Sequence, residues 1–128
     1  MRYLTPQEIL IIHDLVINET GGSHGVRDIG LLISACKRPK TAVFGTEQFP
    51  SIHEKASVYL DSIARNHVFI DGNKRTAFVA TARFLAINGL DINATNREIE
   101  LFVIKVATKH LEVREIAKWI KKKIIKIT

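Results

Sequence analysis

This chain is poor in cysteine, with one, and in proline, with three among 128 residues. Cys36 has no second thiol to pair with, which excludes an intramolecular disulfide. His13, His24, His53 and His110 lack both the i, i+4 spacing and the cysteine company of a zinc site, and read as ordinary helix or loop residues. No uncharged apolar run approaches the roughly 18 residues of a membrane-spanning helix. The opening MRYLTPQE lacks the basic-then-apolar order of a secretory signal. No Pro-rich or Ser-rich linker and no internal repeat divides the chain, and its lysine-rich end is the one biased run. Domains typically hold about 100–200 residues, so a single domain over residues 1–128 is expected, in a reducing, cytoplasmic setting without a membrane.

What is present is an ordinary globular mixture, 46% apolar and 25% charged, which argues against disorder. The net charge of +6 favours nucleotides, nucleic acids or acidic protein surfaces without choosing among them. Helical punctuation is frequent. Thr5-Pro6-Gln7-Glu8 has capping-box spacing with proline at the first helical position, and Gly21-Gly22 ends the helix it opens. A second helix is expected over Asp28–Lys37, with Ile29, Leu32, Ile33 and Cys36 on its apolar side, the thiol buried and inert. Ser51-Ile52-His53-Glu54 caps a helix to about Asn66, and TAFVATARFLA continues as an apolar helix from Thr76 to Asn88-Gly89. Thr95 starts another helix, through about Thr108, and a last amphipathic helix is expected near Glu112–Ile124. Only Lys40–Pro50, with β-branched and aromatic residues around Gly45, reads as a short hairpin; Leu90–Asn93 reads as a connector. The expected fold is therefore all-α, a single bundle of about six helices with one short hairpin.

The densest chemistry lies in His67-Val-Phe-Ile-Asp71-Gly72-Asn73-Lys74-Arg75, where a loop becomes a helix. Free N–H groups and the dipole at a helix start attract anions, and phosphate is the natural guest. An imidazole titrates near neutrality, so His67 is a candidate general base for a hydroxyl. Asp71 is a candidate Mg²⁺ ligand, because Mg²⁺ beside phosphates commonly uses one or two protein carboxylates. Gly72 would admit phosphates close to the backbone, with Asn73, Lys74 and Arg75 supplying donors and charge. A plain structural reading also fits: Asp, Gly and Asn as turn and cap residues, with the two cations solvated.

The segment resembles the signature of the Fic/Doc family, H-x-F-x-[D/E]-[G/A]-N-[G/K]-R; His67, Phe69, Asp71, Gly72, Asn73, Lys74 and Arg75 all match. The upstream GVRDIGLLISACKRP and the segment Lys40–Pro50 fit the same family, so the resemblance covers residues 3–93. It implies a helical fold whose motif loop binds a nucleoside triphosphate with Mg²⁺ while the histidine activates a hydroxyl on a target protein. Phe69 is expected to anchor the loop in the core. The hairpin is expected to act as a flap that pairs with the target's backbone, with Thr41, Ala42, Val43 and Phe44 as the docking residues.

Lys74 stands where the AMP-transferring members have a second glycine, Val68 replaces their usual proline, and Phe78 occupies the place of a second arginine. These features look like the death-on-curing (Doc) branch. By that similarity the chain is a toxin of a toxin–antitoxin pair, a protein kinase that uses ATP and Mg²⁺ to phosphorylate a threonine of a translation factor, elongation factor Tu. Translation then stalls, and a separate antitoxin restrains the toxin. The cis-inhibitory pattern [S/T]-x-x-x-E-[G/N] is met only partly by Thr108–Val113. A second enzyme reading, adenylyl transfer onto protein, is favoured by Gly72 and opposed by Lys74. A third is a catalytically silent basic module for RNA or a partner, carried by Lys118, Lys121, Lys122, Lys123 and Lys126; direct DNA binding is not expected. Arg27, Asp28 and Arg38 read as cap and surface ion-pair residues.

Overall fold

The computed structural model describes residues 1–127. Helices α1 (Pro6–Thr20) and α2 (Ile29–Lys37) are followed by a single 3-10 turn, Arg38–Lys40, and a hairpin of β1 (Ala42–Val43) and β2 (Thr46–Glu47). Then come α3 (Ile52–Arg65), α4 (Asn73–Ile87), β3 (Leu90–Ile92), α5 (Asn96–Lys109), α6 (Val113–Lys123) and β4 (Ile124–Lys126). The expected all-α bundle with a short hairpin is what the chain forms.

Three helices begin with full capping boxes, in which a hydroxyl accepts from the third helical N–H and a glutamate reaches back: Thr5 with Glu8, Ser51 with Glu54, and Thr95 with Glu98. Asp28 caps α2 by accepting from the Leu31 N–H. Helix α3 is the centre of the bundle. Every residue from Lys55 to Ala64 is buried, and the helix packs on α2, α4, α5 and α6. Tyr59 and Phe84 meet with ring centroids 4.9 Å apart, and the buried Tyr59 hydroxyl accepts from the Leu4 N–H at 3.1 Å. Burial raises the pKa of that hydroxyl above its ordinary value. It likewise pushes the Cys36 thiol up to about 11, in keeping with an inert core cysteine.

Three expectations need correction. Residues Leu90–Ile92 are not a mere connector; they pair antiparallel with Ile124–Lys126, with Asp91 opposite Ile125. A three-residue strand carries too little alternation to be read locally, and its partner lies across two helices. On α2, Leu32, Ala35 and Cys36 are buried, whereas Ile29 and Ile33 are 56% and 39% exposed, so the apolar stripe is wider than the buried face. Helix α4 begins at Asn73 rather than Thr76, which brings Asn73, Lys74 and Arg75 into its first turn.

At the hairpin tip Phe44 and Gly45 both have positive φ, 51° and 79°, as a two-residue turn matching the strand twist requires. Phe44 is fully exposed. Below the hairpin lies a cation the sequence reading passed over. Lys55, 1% exposed, donates to the carbonyl oxygens of Pro39 (3.2 Å) and Phe49 (2.6 Å) and pairs with Glu47 at 3.0 Å. Both legs of the hairpin are thereby tied to α3, and the charge is buried with its donors satisfied.

Candidate active site

Where α3 ends, the Asn66 N–H still returns to the Ser62 carbonyl at 3.3 Å, but His67 turns left-handed, with φ 50°. That region is sparsely populated for a residue with a side chain, though histidine tolerates it better than most. The turn throws His67 to the surface and sends Val68 and Phe69 into the core, both 0% exposed. Phe69 lies flat on the buried His13 ring, centroids 3.8 Å apart and planes 5° from parallel. His13 Nε2–H donates to the Asp71 carbonyl oxygen at 2.8 Å, which assigns its tautomer. The phenylalanine anchor is as expected; the histidine platform under it is a residue the sequence reading had set aside.

Asn73 closes the loop on itself. Its Oδ1 accepts from the Phe69 N–H and its Nδ2 donates to the Phe69 carbonyl, each at 2.9 Å. One N–H of that amide remains for a ligand. Gly72, φ 74°, is the N-cap of α4. A Cβ there would lie 3.0 Å from Ile17 Cδ1 on α1, so the glycine answers to left-handed backbone and close packing on α1.

A second strand-like segment runs antiparallel beside the motif. Ser23 N–H donates to Asp71 Oδ2 at 2.8 Å, Ile70 N–H to the Gly25 carbonyl at 3.1 Å, and Arg27 N–H to the Val68 carbonyl at 2.9 Å, with Val26 bridged to Phe69. Gly22 allows the approach, since a Cβ on it would come within 3.3 Å of Asp71 Cβ. The Arg27 side chain then reaches over the turn: Nε donates to the His67 carbonyl at 2.6 Å and Nη2 to the Asn66 carbonyl at 3.0 Å.

The start of α4 differs from those of α1, α2, α3 and α5. It has no side-chain cap and no acid in its first turn. The Thr76 N–H returns to the Gly72 carbonyl at 3.0 Å, so the N–H groups before it have no intrahelical acceptor. Lys74 and Arg75 are exposed there, and neither pairs with a carboxylate among the described residues. Two cations, free amides and the dipole together give this end the chemistry of a candidate anion cradle. Asp71 is exposed beside it, with one oxygen oriented by Ser23. No group of three potential metal-ligating side chains occurs among the described residues. Mg²⁺ fits this donor set, since one oriented carboxylate, phosphate oxygens and water are its usual shell.

The hairpin residues Thr41, Ala42, Val43 and Phe44 form a two-stranded unit whose outer edges are unpaired by other strands. Arg38 ties the base of the hairpin to α3. It sits at the base of the hairpin, and its Nη1 donates to Asp61 Oδ2 at 2.7 Å and Ser62 Oγ at 3.0 Å in the last turns of α3. A groove of about 540 Å³, lined by Phe49, His53, Val113, Arg114, Lys118 and Lys121 among others, lies near the opposite end of α3 and includes no motif residue. Among the described residues no helix is long and apolar enough to cross a membrane.

A family model described as the Fic/DOC family matches residues 3–85. Over 118 residues the chain is 39% identical to a protein of Mycolicibacterium smegmatis named Toxin Doc, covering 90% of this chain and 88% of that one. Over 117 residues it is 32% identical to a protein of Escherichia phage P1 named Protein kinase doc, covering 91% of each.

Proposed function

The chain belongs to the Fic/DOC family, and on that premise we propose that it is a toxin acting as an ATP-dependent protein kinase. The observation that carries the reading is the uncapped, cationic start of α4 beside the exposed His67 and Asp71. The names of its two relatives, a toxin and a protein kinase, point the same way.

In this reading the triphosphate lies along the first turn of α4, its γ-phosphoryl group held by the free N–H groups, Lys74, Arg75 and the remaining Asn73 N–H. A ring nitrogen of His67 takes the proton of the incoming threonine hydroxyl. The hydroxyl oxygen forms a bond to the γ-phosphorus as the bond to the β–γ bridging oxygen breaks, giving phosphothreonine and ADP. Magnesium held by Asp71 would offset charge on the phosphate oxygens. Asp71 itself is kept in place by the Ser23 N–H and, through its carbonyl, by His13.

The target is a threonine of a translation factor, elongation factor Tu, docked as an added strand on Thr41–Phe44. A separate antitoxin covers the cleft, and the setting is the cytoplasm. Adenylyl transfer is the second reading, and its support weakens because Gly72 is accounted for by its contact with α1. Incubation of the chain and elongation factor Tu with ATP labelled at the α or the γ position tests the assignment. Label on protein from the γ position is expected, and label from the α position alone would reject it.

A further inference from the structure

Arg27 makes an unusual choice of partners. Although it is exposed, its guanidinium pairs with no carboxylate among the described residues and binds two consecutive carbonyl oxygens, those of Asn66 and His67, at 3.0 and 2.6 Å. Its own N–H adds the Val68 carbonyl at 2.9 Å, and the Asp28 N–H reaches the same oxygen at 3.2 Å. Three successive carbonyls, on both sides of the left-handed His67, are thus held by one residue and its neighbour. The planar fork of an arginine suits such a span, and a single ammonium cannot reproduce its two directed bonds.

A bond to the His67 carbonyl fixes the peptide plane that follows His67, and with it the direction of the Cα–Cβ bond. The ring has no hydrogen bond of its own among the described residues to do so. Phe69, locked by His13 and Asn73, fixes the loop on its far side. On the near side the backbone bond from the Asn66 N–H to the Ser62 carbonyl is joined by one side-chain clamp, that of Arg27, where a strained turn relaxes most easily once unsupported.

We propose that Arg27 is a positioning residue: by clamping the Asn66 and His67 carbonyls it holds the turn that aims the His67 imidazole at the cradle. The catalytic part of this inference rests on the kinase reading; the part concerning the turn does not. A contrasting role is a plain cap, since cations at a helix C-terminus stabilise its last carbonyls whatever the histidine does.

The test uses Arg27→Ala and Arg27→Lys in the full chain, with two readouts. The first is phosphoryl transfer from γ-labelled ATP to elongation factor Tu. The expected result for Arg27→Ala is a fall in kcat of about 10²-fold, as for a misplaced reacting group, with KM for ATP unchanged within about twofold. Arg27→Lys should fall between that variant and the natural chain. The second is the ¹³Cε1 spectrum of labelled histidine, in which His67 is assigned among the five histidines by its loss in His67→Ala. Its line should shift or split in Arg27→Ala while the His53 line stays in place.

A variant that melts lower but keeps both its kcat and its His67 line would overturn the proposal and leave a mere cap. If Arg27→Ala does not fold, Arg27→Lys decides alone, and an unaltered rate and line again reject it. Should His67→Ala retain full transfer, His67 is not the base and the catalytic part of the inference falls, while the spectrum still decides whether Arg27 holds the turn.

Discussion

The starts of α3 and α4 are two solutions to one problem, the unpaired N–H groups of a helix. At α3 the chain answers internally: Ser51 caps, and Glu54, the acid of the first turn, reaches back. At α4 the same positions hold a left-handed glycine, no cap, no acid and two cations. A self-satisfied start contributes stability of about 0.5–2 kcal/mol through its cap. An unsatisfied one forgoes it and keeps an electrostatic attraction for a ligand. The difference sets a start stabilised by its own cap beside one that leaves its first N–H groups open.

The deepest test of the contrast removes the base beside the open start. His67→Ala is expected to cut transfer of γ-label to protein by about 10²- to 10⁴-fold, the usual worth of a general base, with folding unchanged by circular dichroism. Undiminished transfer would mean that His67 is not the base. Next, α4 can be made to resemble α3. Lys74→Glu places an acid in its first turn, which should raise the melting temperature slightly, by about 0.3–1 kcal/mol in stability. It should also weaken ATP binding by at least about tenfold, since it reverses the charge facing the phosphates. Calorimetry and titration of the same sample read both, and an unchanged ATP affinity would refute the cradle.

The reverse exchange gives a smaller effect. Ser51→Ala strips α3 of its cap and is expected to cost about 1 kcal/mol by denaturant unfolding, with kcat per folded molecule unaltered. A loss of kcat as large as that in His67→Ala would show the two starts are not separate. The smallest effect belongs to α5, a third start capped as α3 is. Glu98 has its pKa lowered, first by its hydrogen bond with Lys123 and then by the Thr95 cap. A carboxylate depressed in the folded state stabilises above its unfolded value, near 4.5, and that contribution is lost as pH falls through the lower folded value. The natural chain should therefore melt slightly above Glu98→Gln at neutral pH and lose that margin in acid. An equal margin at about pH 7 and about pH 3 would contradict the assignment.

What was readable along the chain was local. The three capping boxes, Asp28 as cap, Gly21 and Gly89 as stops, and a hairpin around Gly45 all follow from residues a few positions apart. The motif itself was legible for the same reason, because its chemistry sits on one continuous segment. Its neighbours were not. His13 is 58 residues from Asp71, and Arg27 is 40 from His67. Lys55 finds its partners at Pro39, Glu47 and Phe49 only when the hairpin folds over it. The β3–β4 pair joins strands too short to show any period. Gly72, read along the chain as clearance for phosphate, also leaves room for Ile17 of α1, 3.0 Å from where a Cβ would stand, a contact no local pattern shows.

The sequence by itself determined the helices, their ends and the list of reactive groups, since backbone dihedrals, caps and side-chain chemistry act over a turn or two. Tertiary structure alone decided how those groups are aimed. It laid residues 22–28 against the motif, stacked Phe69 on His13 and set the Arg27 fork over the turn at His67. Such contacts depend on which distant segments the core brings together, and no short-range pattern carries that information.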